Sequence, residues 1–311
     1  MTNVLVTGGA GYIGSVLVPI LLDSDFTVTV VDNFMYKQTS LAHVAHRKNL
    51  EIVKGDVRNT SLIKSLISKN DVIIPLAAIV GAPACERDPV LASSVNKTAT
   101  LDLISFIGKE QRVLMPTTNS AYGSGDRDNY CDENSELRPL SRYAKDKVII
   151  EESLMNLKNA SSFRLATVFG VSPRMRLDLL VNNLTYRALT DRYVVLFEGH
   201  FLRNYVHVRD VSKLFLFAIE NPDIVLGQIF NFGLSDANIS KKDLCLLIKR
   251  VLGDFVILED EVQKDPDQRN YLVSNNKIEK AGFRASISIE EGVRELVKGL
   301  PMFESFPYSN L

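Results

Sequence analysis

Over the first half of the chain, short runs of β-branched and other apolar residues alternate with longer stretches in which apolar positions recur every three or four residues. Residues 3–7, 27–31, 51–54, 71–76 and 112–116 read as strands, because short continuous apolar runs suit a sheet covered on both faces. Between them, residues 13–22, 61–68 and 89–108 read as helices. Such alternation predicts right-handed crossovers and an α/β fold, a Rossmann-type doubly wound parallel sheet. Residues 162–168 and 229–233 predict two later strands.

Beyond about Gly170 the pattern is less regular. Residues 174–190 read as a helix, 194–197 and 204–208 as short strands, and 210–221, 241–253 and 290–298 as further helices. Repeats and low-complexity tracts are absent from the sequence. The pattern predicts a large domain over residues 1–168, with segments near 200–233 returning to it. A smaller α/β lobe is expected over 169–311.

Composition narrows the picture. With 311 residues, 46% of them hydrophobic, the chain can bury a sizeable core. Its net charge of −1 and mixed charges supply no basic field for nucleic acid, so no such partner is expected. The apolar run 16–22 contains Pro19 and is far too short to cross a bilayer, and no basic region precedes an apolar signal segment; no membrane association is expected. Cys85, Cys131 and Cys245 have no metal-ligand spacing, and their odd number argues against a disulfide framework, which points to a cytoplasmic protein. His43, His46, His200 and His207 are scattered, so no metal is expected.

The first predicted strand runs at once into Gly8-Gly9-Ala10-Gly11-Tyr12-Ile13-Gly14. Glycine at Gly8 and Gly11 permits a tight turn and close approach to a pyrophosphate, and Gly14 lets the next helix pack on the strand. That helix's N-terminus offers free N–H groups to phosphates. A second strand ends in Asp32-Asn33, 18 residues after Gly14, near the ~20-residue spacing of an acid that binds the adenosine ribose. A carboxylate there repels a 2′-phosphate, so NAD is the expected cofactor. Asp56 and Val57 follow the third strand, where they either reach the adenine or form a turn.

Tyr143 and Lys147 are four residues apart on a predicted helix, so both heads can enter one cleft. An ammonium beside a phenol favours the phenolate and lowers its pKa from ~10. A phenolate can take the proton from a substrate hydroxyl as a hydride leaves the same carbon. The strand 112–116 leads into Thr117-Thr118-Asn119-Ser120, whose small hydroxyl residues either form a turn or hold the substrate hydroxyl.

These motifs, together with Arg203-Asn204-Tyr205-Val206-His207-Val208, resemble the extended short-chain dehydrogenase/reductase family of nucleotide-sugar epimerases, dehydratases and related oxidoreductases. The resemblance spans nearly the whole chain. It implies that Thr118 holds the sugar hydroxyl, that Tyr143 is the base, and that Lys147 binds the nicotinamide ribose. It assigns Gly8, Gly11, Tyr12, Ile13, Gly14, Asp32, Asn33, Asp56, Val57, Leu76, Ala77, Ala78 and Asn96 to the cofactor side. Asn119, Ser120, Thr167, Arg176, Asn182, Arg203 and Arg269 fall on the substrate side, and Arg203 and Arg269 match arginines that hold the nucleotide diphosphate. Arg176 and Asn182 fit a solvated helix face equally well.

Dehydratases of the family carry an Asp-Glu pair after the threonine, whereas Asn119 and Ser120 do no acid–base chemistry near neutral pH. The family's 3,5-epimerases place a cysteine at the position of Ser120. Both chemistries are therefore disfavoured, leaving oxidation at one sugar carbon, C4. Residues 118–123, 164–182 and 265–275 resemble the GDP-heptose 4-dehydrogenases of bacterial capsule biosynthesis. Thr167 replaces an asparagine found in many 4-epimerases, and 4-epimerisation stays open beside 4-dehydrogenation. Some proteins of this fold bind the cofactor as sensors without chemistry, but those usually lack the Tyr-Lys pair. Cys85, expected in a loop bordering the cleft, reads as a packed small residue. The family commonly dimerises through two helices per subunit, here residues 89–108 and 143–157, so a homodimer is expected; burial inside the monomer explains their apolar residues equally well.

Overall fold

Seven parallel strands form the central sheet, in the order Ile229–Phe232, Ala160–Leu165, Arg112–Thr118, Val72–Pro75, Asn3–Thr7, Thr27–Asp32 and Leu50–Lys54. The structure is a computed structural model that describes residues 2–124, 130–260 and 269–303. Alternate side chains of the first strand feed cores on opposite faces. Val4 and Val6 pack with the helices Gly14–Asp23 and Val208–Glu220, whereas Leu5 joins Val31, Ile73 and the helix Thr60–Ile67. Both faces are covered, which explains why these strands read as continuous apolar runs. The Rossmann-type α/β fold is thus the one the alternation predicts.

After Asn3–Thr7 the chain winds outward to Leu50–Lys54 on one side, then resumes at Val72–Pro75 on the other. The strand order reverses there, opening a crevice beyond the carboxyl ends of the two neighbouring strands. Helix Val208–Glu220 and strand Ile229–Phe232 return from the later part of the chain to the large sheet. A second, three-stranded sheet pairs Leu202–His207 with Thr167–Phe169 in parallel and with Asn238–Ser240 antiparallel. Thr167 lies opposite Tyr205 in this sheet, and Arg203 opposite Ile239.

Several boundaries differ from the sequence reading, each for a local reason. The helix expected over 174–190 begins only at Leu180, and Leu179 before it is extended at ψ 138°. Arg174 is instead held as loop by its backbone N–H, which donates to Ser15 Oγ at 3.3 Å, so tertiary contacts override the helical pattern. The helix expected over 89–108 is Pro89–Ser93, a π-turn Ser94–Thr98, then Ala99–Ser105. Cys85 lies on a short helix, Ala82–Arg87, not in a loop. The strand expected to reach Val208 ends at His207, which caps the following helix by accepting from Arg209 N through Nδ1. Strand Val256–Asp260, which the sequence reading did not assign, pairs in parallel with Tyr193–Phe197 and leaves Val256 and Leu258 exposed. No described helix is long and apolar enough to cross a membrane.

Candidate active site

The crevice opens into a cavity of about 1160 Å³ lined by residues from both halves of the chain. Its floor is the glycine turn. Gly8 has φ +67°, and a methyl there would lie 2.6 Å from the backbone of Ala77. A methyl on Gly14 would lie 2.5 Å from the Gly9 carbonyl oxygen. The bare turn therefore lets the loop after Val72–Pro75 close on Gly8 and the start of helix Gly14–Asp23 close on Gly9, which is the cradle a dinucleotide pyrophosphate requires. Gly8, Gly11, Tyr12, Ile13 and Gly14 all line the cavity, as do Leu76, Ala77 and Ala78.

At the far end Asp32 is buried and accepts from Ala10 N at 3.1 Å, Phe34 N at 2.8 Å and Gln38 Nε2 at 3.2 Å. Burial raises its pKa above the ordinary carboxylate value, against the pull of these donors. The carboxylate keeps acceptor capacity toward the cavity, which fits a ribose diol. Asn33, Asp56 and Val57 line the same end. Arg58 grips Asp56 through Nε at 2.9 Å and Nη2 at 2.6 Å, and this hydrogen bonding holds the Asp56 carboxyl below the ordinary range. These residues fit NAD.

Tyr143 and Lys147, on helix Arg142–Leu154, line the cavity together with Thr118, at the end of strand Arg112–Thr118. Ser141 caps that helix by accepting from Ala144 N at 3.2 Å, so its first turn, with Tyr143, is fixed. One expectation is corrected here. The Lys147 ammonium donates to the Pro116 carbonyl at 3.0 Å and stands 5.9 Å from the Tyr143 ring centroid. Burial pushes the Tyr143 phenol up to about 12, and the positive charges opposing that rise are Arg176 and Arg269, not Lys147. Burial also brings Lys147 down to about 8.

Thr118 Oγ1 accepts from Ser120 N at 3.1 Å and donates to Ser120 Oγ at 2.9 Å. Ser120 Oγ in turn accepts from Arg269, linking the threonine to an arginine at the entrance of the substrate side. Arg203 and Thr167 line the cavity with Arg269; Arg203 is buried and donates to the Leu202 carbonyl at 2.9 Å. Asn270 fixes this corner by accepting from Leu202 N at 2.9 Å through its side chain. Residues 265–268, in the segment used for the family resemblance, lie outside the described residues.

Three predicted contact residues do not line the cavity. Asn119, the first residue of the turn Asn119–Tyr122, is buried, with no hydrogen-bond partner for either side-chain atom. Asn96 acts on the backbone beneath the cofactor end: it accepts from Ile79 N at 2.7 Å and donates to Ile79 O at 2.8 Å. Asn182 is wholly buried, accepts from Gly170 N at 3.0 Å, and donates to Arg176 O at 2.9 Å and Tyr12 Oη at 3.3 Å. Its neighbour Asn183 lines the cavity instead.

Other lining residues carried no sequence motif. Lys241 is buried beside Phe201, its ammonium 5.4 Å from the ring centroid, on the side of the cavity that holds Arg203. Arg174 stands over the Tyr36 ring at 4.5 Å. Asp178 pairs with Arg176. Below the Thr118 strand end, Glu151 binds Arg164 through both oxygens and accepts from Ser162 at 2.6 Å and Thr117 at 3.1 Å. Tyr143, Lys147 and Glu151 are spaced four apart, so the inward face of this helix could have been extended to Glu151 from sequence. Cys85 is buried and donates to the Ile79 carbonyl at 3.3 Å. Among the described residues no cluster of His, Cys, Asp or Glu is placed to hold a metal ion.

Comparison with known proteins agrees with this layout. The low-salt glycan biosynthesis protein Agl12 of Haloferax volcanii is 26% identical over 308 residues, covering 95% of this chain and 97% of that protein. UDP-glucuronic acid decarboxylase 1 of Arabidopsis thaliana is 25% identical over 309 residues, covering 95% of this chain and 69% of that protein. The crystal structure of a UDP-glucose 4-epimerase from Thermotoga maritima with UDP-glucose superposes with a TM-score of 0.82 at 25% identity, covering 98% of this chain and all of that one. The sequence model of the NAD dependent epimerase/dehydratase family matches residues 4–233, which contain the glycine turn, Asp32, Thr118, Tyr143 and Lys147, and the chain belongs to that family.

Proposed function

We propose that the chain oxidises the C4 hydroxyl of a nucleotide-linked sugar and releases the 4-keto sugar, acting on a GDP-sugar of the heptose type. The observation that supports this reading is that Thr118, Tyr143 and Lys147 line one cavity with the glycine turn and with Arg203 and Arg269. NAD, held by the glycine turn and Asp32, would supply the acceptor for the C4 hydride. Tyr143 takes the hydroxyl proton, Thr118 holds the same oxygen, and Lys147 orients the nicotinamide ribose. Arg203 and Arg269 hold the diphosphate, which Arg can grip through paired N–H groups. Arg176 and Arg269 favour the phenolate that burial opposes.

Oxidation without elimination follows from what stands next to Thr118. Asn119 is not among the residues that line the cavity and Ser120 is tied to Arg269, and neither an amide nor a hydroxyl supplies the acid–base pair that loss of water needs. A second reading, 4-epimerisation through a transient 4-keto sugar, is favoured by the likeness to the Thermotoga maritima 4-epimerase. It uses the same residues. Incubation with UDP-, GDP-, dTDP- and CDP-sugars separates the readings. NADH with a product lighter by two hydrogens supports the dehydrogenase, an unchanged mass the epimerase, and loss of water contradicts both.

We further propose that the protein is cytoplasmic and pairs as a homodimer through the faces of Pro89–Ser93 and Arg142–Leu154 that carry the exposed Val90 and Ile149. Light scattering of the native chain and of a Val90→Glu, Ile149→Glu double variant tests the pairing. A dimer that the double variant turns into a monomer is expected, and a native monomer contradicts it.

A further inference from the structure

The substrate side of the cavity contains an ion pair that a diphosphate does not explain. Arg176 Nε donates to Asp178 Oδ1 at 3.2 Å and Nη2 to Asp178 Oδ2 at 2.5 Å, with both side chains about nine-tenths buried. Both residues line the cavity. The pair faces the loop that follows strand Val72–Pro75: a methyl on Gly81 would lie 3.8 Å from Arg176 Nη2 and 3.9 Å from Asp178 Oδ2. Arg176 is also the foremost positive charge acting on the Tyr143 phenol. Ile79 and Cys85, on either side of Gly81 in sequence, pack in one cluster with Tyr143, so the pair and Tyr143 border the same segment of the cavity wall.

An arginine meant for a diphosphate needs its fork free, whereas this one is occupied by a carboxylate two residues away. A forked Arg–Asp pair still has outward N–H donors and carboxylate lone pairs, and together these suit the paired donors and acceptors of sugar hydroxyls. Resting on the reading that a nucleotide sugar is the substrate, we propose that Arg176 and Asp178 form the part of the site that reads the sugar. They bind its hydroxyl groups and turn away a sugar carboxylate. A uronate would bring a second negative charge against Asp178, and like charges placed together in a dry site discriminate strongly.

The test compares matched neutral and acidic ligands on the NAD-supplied full chain. Dissociation constants of GDP-mannose against GDP-mannuronate, and of UDP-glucose against UDP-glucuronate, are measured by calorimetry. The native chain is expected to favour the neutral member of a bound pair by about tenfold or more. Asp178→Asn frees the Arg176 charge and should shrink that preference at least about tenfold, whereas Arg176→Gln leaves Asp178 alone and should enlarge it. The opposite directions of the two variants separate recognition from general damage to the fold. Equal affinity for the neutral and acidic members in the native chain, or a preference unmoved in a folded variant, overturns the role of the pair alone. Failure of the native chain to bind any of the four ligands, or free GDP or UDP, overturns the nucleotide-sugar reading and the pair's role with it.

Discussion

The Tyr12 phenol, in the glycine turn, donates at 2.7 Å to the carbonyl of Gly170, just beyond strand Thr167–Phe169. Around that bond Ser172 Oγ donates to Tyr12 O at 2.7 Å, and Asn182 ties Gly170, Tyr12 and the Arg176 carbonyl together. The turn that receives the cofactor and the loop that carries Arg174, Arg176 and Asp178 are therefore one buried hydrogen-bonded unit.

Asn182→Ala removes the centre of this unit. It strands the buried Gly170 N–H and Arg176 carbonyl, at a cost of about 1–3 kcal/mol in stability. Because the Arg176 loop loses its anchor, KM for the nucleotide sugar should rise more than kcat falls. Thermal melting and steady-state kinetics check both parts; an unchanged KM in a destabilised variant would mean that the network holds the fold only.

Gly8→Ala puts a methyl 2.6 Å from the Ala77 backbone at a φ of +67°. Backbone cannot give way as a flexible side chain can, and the left-handed conformation adds ~1–2 kcal/mol. NAD binding, followed by calorimetry, should be lost. Gly253→Ala provides the contrast: it also has positive φ, but nothing lies within 4 Å of the added methyl. That variant should lose some stability and keep NAD affinity.

Burial brings Lys147 down to about 8 from its ordinary 10.5. Between those two pH values the unfolded chain holds a proton that the folded chain has released, so the Lys147 contribution to stability rises with pH across that window. The penalty for burying the ammonium is fully present below pH 8 and amounts to ~3 kcal/mol at most. Chemical denaturation of the native chain and of Lys147→Met should show the native chain gaining on the variant from about pH 8 to 10. Parallel profiles would contradict the depressed value.

Much of this arrangement was legible in the sequence, because the central sheet is covered on both faces and its strands are short apolar runs bounded by turns. The glycine turn, Asp32 and the Tyr143–Lys147 spacing are local patterns, and local patterns survive without tertiary information. What escaped depends on contacts distant in sequence. Residues 174–179 have helical periodicity, yet Ser15, 159 positions away from Arg174, captures the loop. Asn182 has the residue type of a ligand contact, but its partners are Tyr12 and Gly170. Lys147 is spaced to face the tyrosine, but its hydrogen bond to the Pro116 carbonyl, 31 positions away, and the charges of Arg176 and Arg269 near the phenol come from distant parts of the chain.

The central claim is that Tyr143 removes the proton from the sugar hydroxyl. It is tested most directly by the rate of the first hydride transfer, followed as NADH formation in a single turnover, in the native chain and in Tyr143→Phe. The variant should bind NAD as the native chain does and transfer hydride about 10²–10⁴ times more slowly. A Tyr143→Phe variant that forms NADH at the native rate would contradict the account.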